Sequence, residues 1–217
     1  KWVFQQYDYQ VQLNTVFKPG ESDAAVIRLR SQFDTKNHNQ IYKGIAASVD
    51  CNNRWVALDP YRGSVAAVAE SARNVTCVGA LPVAITNNLN FSSPEDDIGY
   101  WQLSSSCNGI SEACKILETP VTGGNVSLYN ESKDDQGIIT PIQPTPVIGM
   151  VGIIDNAENA IKSGWKCTND EIWLIGSKSS ETTLAASSYL EYFHGHIVGR
   201  PPKINLEDEK FIQEIVR

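Results

Sequence analysis

The sequence predicts a mixed α and β protein built from two unequal units. Strand-like segments, marked by alternation or by short apolar runs, recur between residues 25 and 154. Between them lie two segments in which small or apolar residues return at helical spacing. The composition changes after Asp155, where a polar stretch follows. We therefore expect a first domain over residues 1–155, a linker over 156–169 and the start of an α/β unit over 170–217.

Five segments of the first unit have strand character. Apolar and charged residues alternate over residues 25–30. Ile27 and Leu29 lie on one face and Arg28 and Arg30 on the other, which is typical of a half-buried strand. The other four are more apolar and end in turn residues. They are predicted at residues 44–49, 82–89, 121–129 and 147–154.

Two helices are predicted between these strands. The first covers Ser64 to Asn74, after a turn at Asp59-Pro60 and Gly63, and the second opens at Pro94. Their apolar stripes consist of Val65, Val68, Ala69 and Ala72 in the first, and Cys107, Ile110, Cys114 and Leu117 in the second.

The last part of the chain has too few elements for a closed core. We predict a short helix over 157–164, a strand over 171–176, a helix over 183–193 and a final helix that begins at Asn205. About 50 residues bury too small a fraction of their surface to form an independent α/β core. This unit is expected to be incomplete.

Composition excludes several classes of function. With 18 Lys and Arg against 25 Asp and Glu residues the net charge is −7, and no basic cluster suits a nucleic-acid backbone. The long uncharged stretches at 74–94 and 137–154 carry amides and prolines, so neither is expected to span a membrane. Five irregularly spaced cysteines indicate neither a disulfide framework nor a zinc site. We expect a cytoplasmic protein.

The segment Thr122 to Asn130 (TGGNVSLYN) is the most informative one. Adjacent glycines in a strand mark either a bulge or a close approach of a ligand, and Asn125 and Ser127 offer oxygen atoms on one side of the strand. Asn87 and Asn88 end an earlier strand. If the two strands are neighbours, these ends converge into a neutral polar pocket suited to a nucleotide or a magnesium–phosphate group. A structural bulge with turn-capping amides is the more common alternative.

No complete catalytic set is present in the sequence. Asp50 and Arg54 follow a buried strand, where a functional role and a local salt bridge are equally compatible with the pattern. His38 lies in a polar segment, and His194 and His196 flank Gly195 at a predicted helix end, where they complement the helix dipole. Cys107 and Cys114 are interpreted as core residues rather than nucleophiles.

Taken together, the motifs resemble the second half of phosphoribosylformylglycinamidine synthases, of the aminoimidazole ribonucleotide synthetase superfamily. The resemblance covers nearly the whole chain, and the block from Gly124 to Glu131 with the following Pro144-Thr-Pro is its most specific part. The other matching motifs are Asp50-Cys-Asn, Leu58-Asp-Pro, Ala69-Glu-Ser-Ala-Arg-Asn74, Thr86-Asn-Asn-Leu-Asn-Phe91 and Gly199-Arg-Pro-Pro202.

The resemblance implies a fold and an activity. The first domain would be α+β, with a mixed or antiparallel sheet and helices on one face, and a truncated α/β domain would follow. The activity would be the ATP-dependent conversion of formylglycinamide ribonucleotide to its amidine with ammonia from glutamine, in the presence of Mg²⁺. The implied partners are the N-terminal half of the same enzyme, a glutaminase subunit and a small accessory subunit.

The resemblance also implies roles for four residues. Asn87 and Gly124 would contact ATP, Asn125 would bind the metal ion and Ser127 would contact the ribonucleotide. The position of Asn87 is commonly an aspartate in the family, so here the contact loses its charge and keeps neutral hydrogen bonds, worth about 0.5 to 1.5 kcal/mol each.

The resemblance places the catalytic histidines and most metal carboxylates in the N-terminal half, so this chain alone is expected to be inactive. A related synthetase, such as aminoimidazole ribonucleotide or selenophosphate synthetase, is disfavoured because Asp50 to Arg54 stands where an Asp-Gly-x-Gly-Thr-Lys segment is needed. A non-catalytic module for nucleotide binding or subunit packing is the alternative from another class. Exposed apolar surface of the sheet would favour self-association of this chain.

Overall fold

A five-stranded mixed sheet is the centre of the structure. The computed structural model describes residues 2, 6–8, 10–29, 42–176 and 183–217. The strands follow the order β1-β2-β7-β3-β4, in which β3 and β4 are parallel and the other neighbours are antiparallel. They are β1 (Ala25–Arg28), β2 (Gly44–Asp50), β3 (Leu81–Asn90), β4 (Val121–Ser127) and β7 (Thr145–Ile154), while β5 (Glu131–Lys133) and β6 (Ile139–Pro141) form a separate hairpin.

Each helix begins at a polar side chain that accepts a hydrogen bond from its first turn. Asp59 accepts from the N–H of Arg62, and Pro60 occupies the first helical position, where its missing N–H costs nothing. Asp96 caps the next long helix in the same way. The helices are α1 (Asn53–Leu58), α2 (Pro60–Cys77), α3 (Asp97–Ile116), α4 (Ser188–His194) and α5 (Leu206–Val216).

The hydrophobic core lies between one face of the sheet and helices α2 and α3. The predicted stripe of α2 is buried throughout, and Ile85, Ile148 and Met150 meet it from the central strands. No described helix covers the opposite, open face of the sheet, and Val49, Leu81 and Ile153 are exposed there. This arrangement confirms the predicted mixed sheet with helices on one face.

Several predictions for the first unit need correction. The β1 residue in the core is Val26, whereas Ile27 and Leu29 lie exposed, because the alternation places them on the uncovered face. The turn expected at Asp59 to Gly63 is the start of α2, and the stripe residue Cys107 is exposed. Arg30 and His38 lie outside the described residues.

The predictions for the last part of the chain hold less well. The strand predicted at 171–176 is wrong: residues 171–175 have no strand structure, and Ile172, Trp173 and Leu174 are exposed because no strand pairs with them. The helix expected over 157–164 is only a 3-10 turn at Ala157–Asn159. The helix predicted from residue 183 begins at Ser188, whereas the final helix is capped by Asn205 as predicted.

The C-terminal segment packs against the helices of the first unit through polar contacts and through Leu206, which is buried in the core. Trp55 Nε1 donates to the carbonyl of Ala185 at 3.0 Å, and Arg62 Nη1 donates to that of Pro201 at 2.8 Å. Asp59, already the cap of α2, also forms an ion pair with Arg200. No helix within the described ranges is long and apolar enough to cross a membrane.

Candidate functional site

Two amide-rich strand ends lie side by side at one edge of the sheet. The parallel pairing of β3 with β4 sets Asn87 beside Gly124, Asn88 beside Asn125 and Asn90 beside Ser127. This is the convergence that the sequence predicts. A register shift leaves Thr122 as an extra residue in β4, so the bulge interpretation is also correct for the residue before the glycines.

The four predicted site residues divide between the two faces of the sheet. Asn87 alternates with the buried Ile85 and Leu89, so its side chain lies on the face covered by α3, where it lines a groove. Gly124 is its neighbour on that face. Asn125 and Ser127 point to the open face, where Asn88 also lies. The sequence did not reveal this division.

Gly124 is required by its close approach to Asn87. A Cβ atom at this position would lie 2.1 Å from Asn87 Oδ1 and 2.4 Å from the Asn87 carbonyl oxygen. At Gly123 an added Cβ would have nothing within 4 Å. The edge of the sheet therefore has no side chain at Gly123 or Gly124. A side chain would have space at Gly123 but would collide with Asn87 at Gly124.

The polar side chains on the open face are linked to one another. Asn125 Nδ2 donates to Asn88 Oδ1 at 3.2 Å, which leaves the Asn125 oxygen available as an acceptor. Ser127 Oγ donates to Asn130 Oδ1 at 3.0 Å. By contrast, the side-chain amide of Asn87 makes no hydrogen bond to the part of the chain that the structure describes, although Asn87 is half-buried.

A groove of about 470 Å³ lies beside Asn87, between β4 and α3. Its walls are mainly apolar: Ile110, Cys114, Pro120 and Val121 line it together with Cys107. Desolvation by surrounding atoms raises the pKa values of the buried Cys114 thiol and of the partly covered thiol of the exposed residue Cys107, so neither is an activated nucleophile. Sequence reasoning placed both cysteines in the core and missed this groove.

The segment at the C-terminal end of β2, residues 50–54 (the β2 exit), is a different kind of polar region. Asn74 Nδ2 donates to Asp50 Oδ1 at 3.0 Å, whereas Asp50 Oδ2 is buried and has no partner among the described residues. Arg54 forms a 2.7 Å ion pair with Glu191 of α4, so the local pair with Asp50 is not formed. Burial, followed by the charges of Glu70 and Asp50, raises the pKa of Cys51 to about 11.

The amide edge supplies neutral oxygen atoms rather than a charged metal cage. Among residues 2, 6–8, 10–29, 42–176 and 183–217, no group of three or more His, Cys, Asp or Glu side chains could hold a metal ion. On the open face, the Asn125 amide oxygen is available as a donor. His194 and His196 flank the end of α4, where Gly195 adopts a left-handed conformation.

The fold and the polar β3–β4 edge together define a domain of the AIR synthase-related class. Residues 21–154 match the family described as AIR synthase related protein, N-terminal domain, and the chain belongs to this family. It is 75% identical over all 217 residues to phosphoribosylformylglycinamidine synthase subunit PurL of Prochlorococcus marinus strain MIT 9312, and 56% identical over 224 aligned positions to that of strain SARG. The chain spans 28% of the length of these relatives.

Solved structures of PurL from Thermotoga maritima share the fold. The PurLQS structure is 36% identical, with a TM-score of 0.59 over 75% of this chain and 25% of that chain. PurL complexed with ATP is 36% identical, with a TM-score of 0.57 over 72% of this chain and 23% of that chain. PurL complexed with FGAR has the same identity and coverage and a TM-score of 0.55.

Proposed function

We propose that this chain forms one wall of the synthetase site of a phosphoribosylformylglycinamidine synthase. The complete enzyme would phosphorylate the amide oxygen of formylglycinamide ribonucleotide with ATP, and ammonia would then displace the phosphate. The observation that carries the proposal is the β3–β4 edge, where the residues expected to contact nucleotide and substrate lie side by side. The similarity to PurL proteins over the whole chain supports it.

Each site residue has a proposed role that its surroundings allow. Asn87 offers an unsatisfied amide to the nucleotide, and Gly124 lets the ligand approach the backbone. Ser127 offers a hydroxyl that can exchange its bond to Asn130 for one to the ribonucleotide. Asp50 and Arg54 are assigned structural contacts, since Asp50 Oδ1 accepts from Asn74 and Arg54 pairs with Glu191.

The donor set fits magnesium as part of a shared site. Mg²⁺ is usually held by one or two protein oxygens together with substrate phosphates and water. Asn125 provides one neutral oxygen, free because its Nδ2 is engaged by Asn88. We propose Asn125 as a magnesium ligand. When bound, the ion would neutralise charge on the transferred phosphoryl group.

The remaining parts of the site would come from outside this chain. We propose that the open apolar face, with Val49, Leu81 and Ile153 exposed, packs against the N-terminal half of the same enzyme. That half would provide the catalytic histidine and the metal carboxylates. A glutaminase subunit and a small accessory subunit would supply ammonia, and the assembly would work in the cytoplasm.

Reconstitution tests this proposal. The matched segment of the Prochlorococcus marinus PurL relative is replaced by this chain to give a full-length chimera. With ammonia as nitrogen donor, we expect the chimera to form amidine in the presence of Mg²⁺ and ATP, and the 217-residue chain alone to form none. An inactive but folded chimera would contradict the proposal, as would turnover by the chain alone.

ATP and ribonucleotide binding separates this function from the alternative of a non-catalytic module. If the chimera binds ATP but not formylglycinamide ribonucleotide, and forms no amidine, the chain is a nucleotide-binding or packing module. We expect both ligands to bind, because Ser127 and Asn125 lie on the same face of the edge strand.

A further inference from the structure

The turn that follows β4 brings a second polar side chain onto Ser127. β4 ends at Ser127, and Tyr129 has a φ of 59°, in the left-handed region that residues other than glycine rarely adopt. Contacts on both sides hold this conformation, because Leu128 packs against the hydrophobic core and Tyr129 Oη donates to Glu95 Oε1 at 3.0 Å. The turn places the side chain of Asn130 against Ser127.

Asn130 binds both the hydroxyl and the carbonyl group of Ser127. Its Oδ1 accepts from Ser127 Oγ at 3.0 Å, and its Nδ2 donates to the Ser127 carbonyl at 2.7 Å and to the Phe91 carbonyl at 3.1 Å. The backbone of Asn130 is also paired, since its N–H donates to the Phe91 carbonyl and its carbonyl accepts from Ile142. The side chain is therefore fixed at both of its polar atoms.

Phe91 connects this arrangement to the core. Its ring is fully buried, and its N–H donates to the Ser127 carbonyl at 3.0 Å. A serine side chain without such neighbours can occupy three χ1 rotamers, and a ligand that needs one of them must bear the cost of ordering it. At Ser127 the fold bears this cost before any ligand binds.

We propose that Asn130 is a positioning residue for the ribonucleotide substrate and acts through Ser127. It would hold Ser127 Oγ in place on the open face until the hydroxyl exchanges its bond to Asn130 for one to the substrate. The bonds from Asn130 Nδ2 to the two carbonyl groups do not involve the hydroxyl, so they would persist through this exchange. This inference rests on the proposed function, which assigns the ribonucleotide contact to Ser127, and adds the residue that orients that contact.

Removal of the Asn130 amide tests this role. In the full-length chimera, Asn130→Ala should raise the KM for formylglycinamide ribonucleotide by about three- to tenfold. The kcat and the KM for ATP should stay within about twofold of the parent values, because the lost contact serves ribonucleotide binding in the ground state and the transition state alike.

A double-mutant cycle distinguishes positioning from a general disturbance of the fold. Ser127→Ala should raise the ribonucleotide KM at least as much as Asn130→Ala does. Once the hydroxyl is absent, the further change Asn130→Ala should raise this KM by less than about twofold, because Asn130 has no hydroxyl left to orient. A disturbance that does not act through Ser127 would have its full effect in both backgrounds.

Asn205→Ala is the matched control for the loss of an asparagine that binds backbone groups. Asn205 Oδ1 accepts from the N–H groups of Glu207 and Asp208 at the start of α5, on the C-terminal segment. The variant should lower the melting temperature, because it removes a helix cap, and should leave the ribonucleotide KM unchanged.

If Asn130→Ala does not fold, Asn130→Ser takes its place in the same cycle. Its hydroxyl can donate to one of the carbonyl groups, but it cannot replace all three bonds of the amide. The expected changes in the ribonucleotide KM are the same. Failure of both variants to fold would overturn the proposal, since Asn130 would then be required by the fold itself.

The outcomes separate this inference from the function on which it rests. An unchanged ribonucleotide KM in a folded Asn130 variant, additive effects in the cycle, or an equal rise in the KM values for ribonucleotide and ATP would each overturn the positioning role. These results would leave the synthetase function intact. A parent chimera that is folded but forms no amidine would overturn the proposed function as well.

Discussion

The β3–β4 edge and the exit of β2 are both polar segments at the ends of apolar strands, yet their side chains have different surroundings. At the β2 exit, Asn74 satisfies one oxygen of Asp50 and Glu191 pairs with Arg54. At the edge, Asn87 has no partner in the described chain and borders a groove. Asp50 Oδ2 also lacks a partner among the described residues, but it is buried, whereas a ligand site needs unsatisfied polar atoms that a ligand can reach.

The two regions should therefore respond differently to substitution. Changes at the edge should reduce ligand affinity, whereas changes at the β2 exit should reduce stability or have no effect. Both regions are tested in the full-length chimera, with ATP affinity and the free energy of unfolding measured on the same samples.

Gly124→Ala should have the largest effect. The new Cβ would overlap with the Asn87 side chain and carbonyl, so strand β4 must shift. We expect a loss of stability of about 1 to 3 kcal/mol and a fall in ATP affinity of more than about tenfold. The measurements are chemical denaturation and equilibrium binding of ATP with Mg²⁺.

Gly123→Ala is the matched control for Gly124→Ala. Its Cβ would meet nothing within 4 Å, so stability should stay within about 0.5 kcal/mol of the parent. Equal destabilisation by the two variants would show that the close approach of Gly124 to Asn87 does not matter.

Asn125→Ala should reduce ATP affinity in the presence of Mg²⁺ by about tenfold while changing stability little. The variant removes an exposed oxygen donor and only one side-chain hydrogen bond, to Asn88. Asn125→Asp should retain affinity, because a carboxylate oxygen is a good magnesium ligand. Unchanged ATP affinity with a clear loss of stability in Asn125→Ala would favour the structural interpretation.

Asp50→Ala should lower stability by about 1 kcal/mol and leave ATP affinity unchanged, because the Asn74 amide loses its acceptor. Asp50→Asn keeps an acceptor oxygen for Asn74 and removes a partly uncompensated buried charge. Its stability should be close to that of the parent. A fall in ATP affinity in both variants would move the β2 exit into the ligand site.

Arg54→Ala should have the smallest effect. The ion pair with Glu191 is partly exposed, and such pairs contribute about 0 to 1 kcal/mol. Stability should fall within this range, with no change in ATP affinity. A larger loss, reproduced by Glu191→Ala, would show that attachment of α4 contributes more to stability than its exposed contacts suggest.

The alternation and the helical spacing of apolar residues predicted the first unit well, because its strands and its two long helices bury their apolar faces against one another. The stripe of Val65, Val68, Ala69 and Ala72 is buried as expected. The alternation could not show which face of β1 is buried, because Val26 and Ile27 are both apolar. The packing of α2 and α3 against the sheet determines which of the two faces is covered.

The prediction failed at residues 171–175 for a related reason. Their apolar, β-branched composition favours a strand, but a strand also needs a neighbour to pair with. At the candidate site, the motif predicts four residues, and the division of these residues between the two faces became visible only from the β3–β4 register. The groove was missed because Cys107 belongs to the apolar stripe of α3 by spacing, although it is exposed.

Hydrogen exchange of the chimera with and without Mg²⁺ and ATP tests the central claim most directly. If the β3–β4 edge is the nucleotide site, the backbone amides of residues 123–127 should exchange more slowly when the ligand is bound. Residues 50–54 should be unaffected, because Asp50 Oδ1 accepts from Asn74 and Arg54 pairs with Glu191 within the chain. Protection at residues 50–54 without protection at 123–127, under conditions where ATP binds, would contradict the account.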